Sequence, residues 1–287
     1  NHSRKPLLLV LPSEQEVELL SRDLDVLEVD YVTFPWWGTI PYSETSPKSR
    51  VFGDRSRTLT EILEGHHKVV ICSIRSLLSP LPDIKTFKSQ IIKLRKGDSI
   101  DPIDLSRRLQ SFGYYRVPKT TVRGEYSLRG EVLDIFLAGY AEAIRIVFEF
   151  DRVEEIKLFD PLSQSSTHDL EEIFLFPMKE LVWTEDEINL LAKRCKDCSE
   201  FRNDGKQLIE ELRVNGYARG EELYYPLALS SSAAITDYFV EGFTGLFVDY
   251  ERLESAETAL KKEYQAMYNK VRFKRDVPAA ERILSSL

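Results

Sequence analysis

The sequence is poor in cysteine: its 287 residues include only Cys72, Cys195 and Cys198. An odd and sparse count argues against a disulfide-stapled extracellular domain and is typical of a reducing compartment, so we expect a cytoplasmic protein. Cys195 and Cys198 form a CxxC pair, but no second pair and no nearby histidine pair completes a zinc site. The spacing is interpreted as chance on a polar helix, with a redox or metal role as the alternative.

Long apolar segments are also missing. No apolar run reaches the roughly 20 residues that a membrane-spanning helix requires, and no charged-then-apolar leader opens the chain. We therefore expect no membrane association. The chain instead enters a strand-like run, Leu7–Leu11, almost at once, and this abrupt beginning suggests a segment of a longer protein.

Positive charge is in deficit, because 39 lysines and arginines face 47 acidic residues for a net charge of −8. Since phosphate neutralisation supplies most non-specific affinity for DNA, duplex binding should be weak or absent. None of the 13 glycines begins a GxxxxGK[ST] phosphate loop, so we also expect no ATP hydrolysis. Asp249, in GLFVDY, resembles a magnesium-binding aspartate of nucleotide hydrolases, but without that loop it is interpreted as a strand-end or cap residue.

Two hydrophobic patterns divide the chain. Residues 1–88 alternate buried-type apolar runs with amphipathic helices, one of them capped by Ser13, and this predicts a parallel α/β layer. Residues 89–177 begin with a short strand-like segment, IIKLRKGDSI, and continue with a helix capped by Asp101 or Ser99 and then with period-two alternation. Such alternation predicts an antiparallel sheet with one packed and one wet face. Residues 178–287 return to the α/β pattern, and TGLFVDY within them predicts a buried strand.

The alternation assigns side chains to the two faces of the predicted middle sheet. The apolar side should carry Tyr126, Leu128, Val132 and Phe136 from one segment, and Ile144, Ile146, Phe148 and Phe150 from another. The polar side should carry Glu125, Ser127, Arg129 and Glu131, and Arg145, Val147, Glu149 and Asp151.

Two features of the sequence leave alternatives open. The aromatic block FPWWGTIPY could stack nucleic-acid bases through Trp36 and Trp37, but the favoured interpretation is a loop wedged onto a core.

Arg129 and Arg145 could form exposed cross-strand pairs with Glu125, Glu131, Glu149 or Asp151, each worth about 0.2–1 kcal/mol. Arginine is also enriched as an anchor of protein interfaces, which is the alternative for this pair.

Several stretches resemble a known family: FPWWGTIPYSETSP, VVICSIRSLLSPLP, LRKGDSID, LQSFGYYRV, GEYSLRGEVLDIF, RIVFEFDRVEEIKLFDPLSQ and EEIFLFP. Together, and in this order, they resemble the amino-terminal, UvrB-related module of the bacterial transcription-repair coupling factors (the Mfd family). RGEVLDIF and FDPL also resemble UvrB itself. UvrB, however, has a phosphate loop and a long DNA-clamping hairpin, and only about 30 residues separate Pro41 from Ile71 here, too few for that hairpin.

The resemblance implies a fold. Degenerate RecA/helicase-like α/β portions, 1–88 and 178–287, would flank a small α+β domain, 89–177, in a UvrB-like arrangement. The middle domain would dock UvrA, and the module would be non-catalytic and hold no cofactor. ATP, magnesium, RNA polymerase and duplex DNA would be bound by other domains of the intact translocase. The runner-up is a fragment of a UvrB-like, ATP-dependent, damage-binding helicase.

The resemblance also implies docking residues. The arginines by which the family contacts UvrA match Arg129 in SLRGE and Arg145 in AIRIVF. A third family contact is aromatic, whereas the matching residue here is Glu149, and Phe148 or Phe150 would have to substitute for it.

Overall fold

The structure, a computed structural model, describes residues 5–43, 45, 49–66, 69–201, 203 and 205–284. The described strands are β1 (Leu7–Leu11), β2 (Val32–Phe34), β3 (Val69–Ser73), β4 (Leu81–Pro82), β5 (Ile92–Arg95), β6 (Tyr115–Arg116), β7 (Glu125–Arg129), β8 (Val132–Ile135), β9 (Ala143–Glu149), β10 (Arg152–Phe159), β11 (Ser166–Leu170), β12 (Glu172–Leu175), β13 (Ser232–Ala233) and β14 (Thr244–Phe247).

The described α-helices are α1 (Glu14–Val26), α2 (Ser49–Leu63), α3 (Ile74–Leu77), α4 (Ile84–Ser89), α5 (Pro102–Ser111), α6 (Glu185–Asp197), α7 (Lys206–Asn215), α8 (Tyr225–Ala228) and α9 (Tyr250–Val271). Short 3₁₀ helices span Glu221–Tyr224, Ile235–Tyr238 and Ala280–Arg282. Within the described residues, no helix is long and apolar enough to cross a bilayer.

The chain forms two compact units. Unit 1 comprises residues 1–48, 61–84 and 183–287, and unit 2 comprises residues 49–60 and 85–182. Unit 1 contains a parallel sheet and unit 2 an antiparallel one, so the predicted mixed α/β class is confirmed. The predicted domain limits at 88/89 and 177/178 stay a prediction.

Unit 1 is built on a parallel sheet in the order β14-β1-β3-β2. The apolar runs of β1 and β3 form its centre, where Leu8 and Val70 are completely buried. Ser13 caps α1, as predicted, by accepting a hydrogen bond from the Glu16 backbone N–H at 3.3 Å. That helix packs Val17 against Ile71, which closes one side of the sheet.

The prediction of a buried strand in TGLFVDY is wrong. Among the strands that the structure describes, β14 pairs with β1 only, at the edge of the sheet, and Thr244–Phe247 are all exposed. The apolar sequence is typical of a central strand, but burial depends on the elements that cover a strand, and the local sequence does not reveal them.

The interpretation of Asp249 as a cap residue is confirmed, because its side chain accepts a hydrogen bond from the Arg252 backbone N–H at the start of α9.

The aromatic block lies inside unit 1. Trp36 and Trp37 are 6% and 1% exposed, and their ring centroids are 4.9 Å apart. Tyr42 and Tyr264 complete the cluster with an edge-on contact at 6.2 Å. The interpretation of this block as a loop wedged onto a core is confirmed, since neither indole is exposed enough to stack on a base.

Unit 2 is built on a six-stranded sheet in the order β11-β10-β9-β8-β7-β6, antiparallel except for the β6–β7 pair. One face packs under α5, whose Leu105 and Leu109 join the main core. Asp101, and not Ser99, caps that helix by accepting from the Ile103 backbone N–H at 2.8 Å. The segment 49–60 of α2 also belongs to this unit.

The predicted faces of the sheet need two corrections, which concern Phe150 and the hairpin between β7 and β8. Phe150 was expected on the apolar face but is 81% exposed in the turn between β9 and β10. Tyr126, Ile144, Ile146 and Phe148 are buried in the core as expected. Two residues, Gly130 and Glu131, link β7 to β8, so Arg129 lies opposite Val132 and the two share a face. Val132 and Phe136 therefore lie on the same side as Arg129. The two-residue link interrupts the alternation of side chains between the two faces, whereas the sequence prediction continues that alternation through the link.

Candidate protein-docking site

A row of polar residues crosses the outer face of the six-stranded sheet. The register places five side chains side by side on β7 to β11, which are Ser127, Asp134, Arg145, Lys157 and Asp169. Residues directly opposite one another on neighbouring strands have their Cβ atoms about 5 Å apart, so their side chains interact. The fold thereby brings Arg145 of β9 beside Asp134 of β8.

Asp134 lies at the centre of this row and holds both predicted arginines. Arg145 donates from Nε to Oδ1 at 2.6 Å and from Nη2 to Oδ2 at 2.9 Å. Arg129 donates from Nη2 to Oδ2 at 3.0 Å. The aspartate side chain is only 2% exposed, so a nearly dry carboxylate fixes two guanidinium groups.

Arg145 has two further contacts that fix its plane. Its Nη2 donates to Oε1 of Gln164 at 3.2 Å, and its guanidinium carbon lies 4.5 Å from the ring centre of Phe159. The hydrogen bonds to Asp134 raise the pKa of the Arg145 guanidinium above its usual value. Arg145 is therefore a fixed and permanent cation, held by a carboxylate, an amide and an aromatic ring.

Both arginines keep binding capacity for a partner. The side chains of Arg129 and Arg145 are 52% and 21% exposed. Among the described residues, Nε and Nη1 of Arg129 and Nη1 of Arg145 have no acceptor. The two cations share one carboxylate, so the group that we call the Asp134 cluster (Arg129, Asp134, Arg145 and Gln164) has a net positive charge.

The cluster surrounds a shallow depression of about 410 Å³, lined by Arg129, Val132, Arg145 and Gln164. Val132 supplies an apolar surface beside the guanidinium groups because the hairpin register places it opposite Arg129. An open depression lined by one apolar side chain and two directed cations suits a carboxylate-bearing side chain of another protein.

The other predicted contact residues are placed differently. Glu149 is exposed at the end of β9, on the same face as Arg145 but four residues further along the strand. Phe148 is 2% exposed in the core and does not reach this face. Phe150 is 81% exposed in the β9–β10 turn, where its φ is +57°. Of the two candidate substitutes for the family's aromatic contact, only Phe150 is on the surface.

Sequence reasoning missed Asp134. Four other carboxylates were considered as partners of the arginines, and two of them are bound locally: Glu125 accepts from the Thr121 and Val122 backbone N–H groups, and Asp151 from Ser99. The signal was present, because a two-residue Gly-Glu link between alternating segments predicts a hairpin that pairs Ser127 with Asp134.

Comparison with known proteins places this surface in a defined domain class. Residues 92–181 match the sequence model of the UvrB interaction domain family, and the Asp134 cluster lies within that range. Over these 90 of its 287 residues, the chain is similar to that domain family.

Similarity to three individual proteins is more specific than the match to the domain family. It is 30% identical to the transcription-repair-coupling factor of Borreliella burgdorferi over 78% of its own length and 20% of the relative's. It is 26% identical to that of Haemophilus influenzae over 90% and 22%, and 25% identical to that of Escherichia coli over 78% and 20%. The predicted relationship to transcription-repair coupling factors is confirmed. The chain spans about a fifth of the length of these relatives.

Proposed function

We propose that this chain is the UvrB-related module of a transcription-repair coupling factor and that unit 2 docks UvrA through Arg129 and Arg145. The observation that carries the proposal is the Asp134 cluster. Its buried carboxylate fixes one half-exposed and one less exposed guanidinium group on one sheet face, within the residues that match the UvrB interaction domain family. The remaining N–H donors would bind carboxylates of UvrA, with Glu149 at the margin of the contact.

The wider role follows from the family relationship. In the proposed role, the module recruits UvrA to stalled RNA polymerase, and other domains of the intact protein bind the polymerase, duplex DNA, ATP and magnesium. The parallel sheet of unit 1 is proposed to be a degenerate RecA-like fold, arranged with unit 2 as in UvrB. The proposal also makes the module itself non-catalytic, because its sequence has no phosphate loop.

The structure changes how docking must be tested. Arg145→Ala removes two of the three arginine hydrogen bonds to a buried carboxylate, so it should cost stability as well as binding. Arg129→Ala is the cleaner variant, since Arg129 is half-exposed and makes a single bond to Asp134. The matched control is Arg107→Ala, an arginine 70% exposed on α5, the helix over the packed face of the sheet.

The experiment titrates purified UvrA by calorimetry at about 0.15 M salt, with a melting curve for each variant. We expect the free energy of unfolding of Arg129→Ala to stay within about 1 kcal/mol of the wild type. Its affinity for UvrA should fall about 30-fold or more, because an unpaired partner carboxylate costs about 2–5 kcal/mol. Arg107→Ala should bind normally. Wild-type affinity in Arg129→Ala would refute this docking site.

The second candidate function is that of a UvrB-like ATPase fragment, favoured only by RGEVLDIF and FDPL. Titration with Mg-ATP distinguishes the two functions. The proposed module should give no binding heat and no phosphate release, whereas saturable micromolar binding with turnover would favour the ATPase.

A further inference from the structure

Unit 1 contains a cavity of about 710 Å³ that the docking function does not use. Five basic residues line it, and we call it the basic cavity: Lys206, Arg219, Arg272, Lys274 and Arg275. Among the described residues that line it, Glu211 and Asp276 are the acidic ones, so these described side chains have an excess of three positive charges. In a chain of net charge −8, this concentration of cations marks a local site for an anion.

The electrostatics of α7 point the same way. Lys206 is the first residue of this helix, its N-cap is Gly205 with no capping side chain, and its first turn contains no acid. A cation at this end opposes the helix dipole and is unfavourable without a compensating anion. The arrangement costs stability in the free protein and would be relieved by a bound phosphate.

An aromatic side chain completes the chemistry. Phe273 lines the cavity and is 64% exposed, and the guanidinium carbon of Arg272 lies 4.6 Å from the centre of its ring. Lys274 and Arg275 follow directly in sequence, and Arg275 donates to the Tyr42 carbonyl, which anchors this stretch. Exposed rings beside basic residues are the means by which proteins bind nucleic acid through base stacking and phosphate contacts.

We propose that the basic cavity binds single-stranded nucleic acid, with a base stacked on Phe273 and phosphates contacted by Lys206, Arg219 and Lys274. A duplex conceals the faces of its bases, so it cannot use the ring in this way. A free nucleotide presents the same chemistry, but the GxxxxGK loop that binds its phosphates is absent. The single strand is therefore the favoured source of the nucleotide unit.

The test measures fluorescence anisotropy of a labelled oligothymidine of about 12 nucleotides with the full chain. We expect binding at about 50 mM salt that weakens about 20-fold by about 200 mM, as three phosphate contacts require. Phe273→Ala should weaken binding about tenfold through lost stacking. Thymidine monophosphate and a duplex of the same length, tested as competitors, should displace the strand poorly.

The charge variant separates binding from folding. Lys206→Glu with Lys274→Glu should weaken binding at least about tenfold without lowering the melting temperature, because the glutamate at the start of α7 favours the helix. The matched control is Lys193→Glu with Lys262→Glu, two exposed lysines outside the cavity with the same change of charge. The proposal is overturned by absent binding at low salt, by equal loss in both double variants, or by duplex or monophosphate competing as well as the strand.

Discussion

Arg145 and Asp134 face each other in register across β9 and β8, joined by two parallel hydrogen bonds of 2.6 and 2.9 Å. Two-point contacts between guanidinium and carboxylate are strong and directional. The same aspartate also accepts from Arg129. In this geometry the arginines that we assign to docking are positioned before any partner arrives, which lowers the entropy cost of binding.

The first prediction tests Asp134 as a positioning residue. Asp134→Asn leaves two cations without their shared counter-charge, so both arginines should lose their fixed orientation and UvrA binding should weaken about tenfold. The residue is buried and would touch no partner atom, so the loss would be indirect. Calorimetry with UvrA measures the affinity, and urea unfolding should show a loss of about 1–3 kcal/mol.

The control for this variant is Asp169→Asn, an exposed aspartate in the same cross-strand row that has no hydrogen bond to Arg129 or Arg145. It removes the same charge from the same face. Equal weakening in both variants would mean that Asp134 acts only through the overall charge of the face, and the positioning role would be abandoned.

The second prediction concerns high pH. Burial raises the pKa of the Tyr42 and Tyr264 hydroxyls above their ordinary value of about 10. A group whose folded pKa is raised contributes stability that is complete below its unfolded pKa and is lost as the pH rises. Unit 1 should therefore be destabilised progressively above about pH 10. Tryptophan fluorescence measures the unfolding of unit 1 as the pH rises, since all three tryptophans lie in this unit.

Tyr42→Phe provides the internal check. The Tyr42 hydroxyl donates to the Pro278 carbonyl at 2.9 Å, so the variant should lose about 1 kcal/mol at pH 8. It should then decline less steeply than the wild type above about pH 10, because one ionising group has been removed. Parallel pH profiles for the two proteins would rule out Tyr42 as a source of the alkaline instability.

Local structure was largely predictable from the sequence where neighbouring residues determine it. The Ser13 cap, the apolar strands β1 and β3, and the capped helix α5 are confirmed. The exposed edge strand β14 was not predictable, because its exposure depends on which elements lie beside it. Long-range pairing likewise decided the partner of Arg145, which lies 11 residues from Asp134 and meets it only through the β8–β9 register.

The third prediction concerns a fully buried ion pair in unit 2. Arg55 Nε donates to Glu180 Oε1 at 2.6 Å, and neither side chain is exposed. Removing one partner leaves a buried charge, so Arg55→Met or Glu180→Gln should each cost about 3–5 kcal/mol of unfolding free energy. Arg55→Met with Glu180→Leu should recover most of that loss. Additive losses in the double variant would show that the two charges do not depend on each other.

The fourth prediction reverses an ordinary rule about glycine. Replacing a glycine inside a helix by alanine usually stabilises by about 1 kcal/mol. Gly53 lies in α2, however, and a Cβ added there would be 2.0 Å from the Cβ and 3.0 Å from the Cα of Ala138. Gly53→Ala should instead destabilise unit 2 by about 1–3 kcal/mol, because a backbone atom cannot move aside as a flexible side chain can. Urea unfolding followed by circular dichroism measures the change.

Ala138→Gly is the matched second variant. Alone it removes the methyl group that Gly53 accommodates, so it should cost about 1 kcal/mol. Combined with Gly53→Ala it exchanges the two methyl positions and relieves the closest contact, so the double variant should be more stable than Gly53→Ala alone. This non-additivity is what direct contact between two residues produces. If the two losses simply add, the close approach of α2 to Ala138 does not limit the size of residue 53, and the glycine is required for another reason.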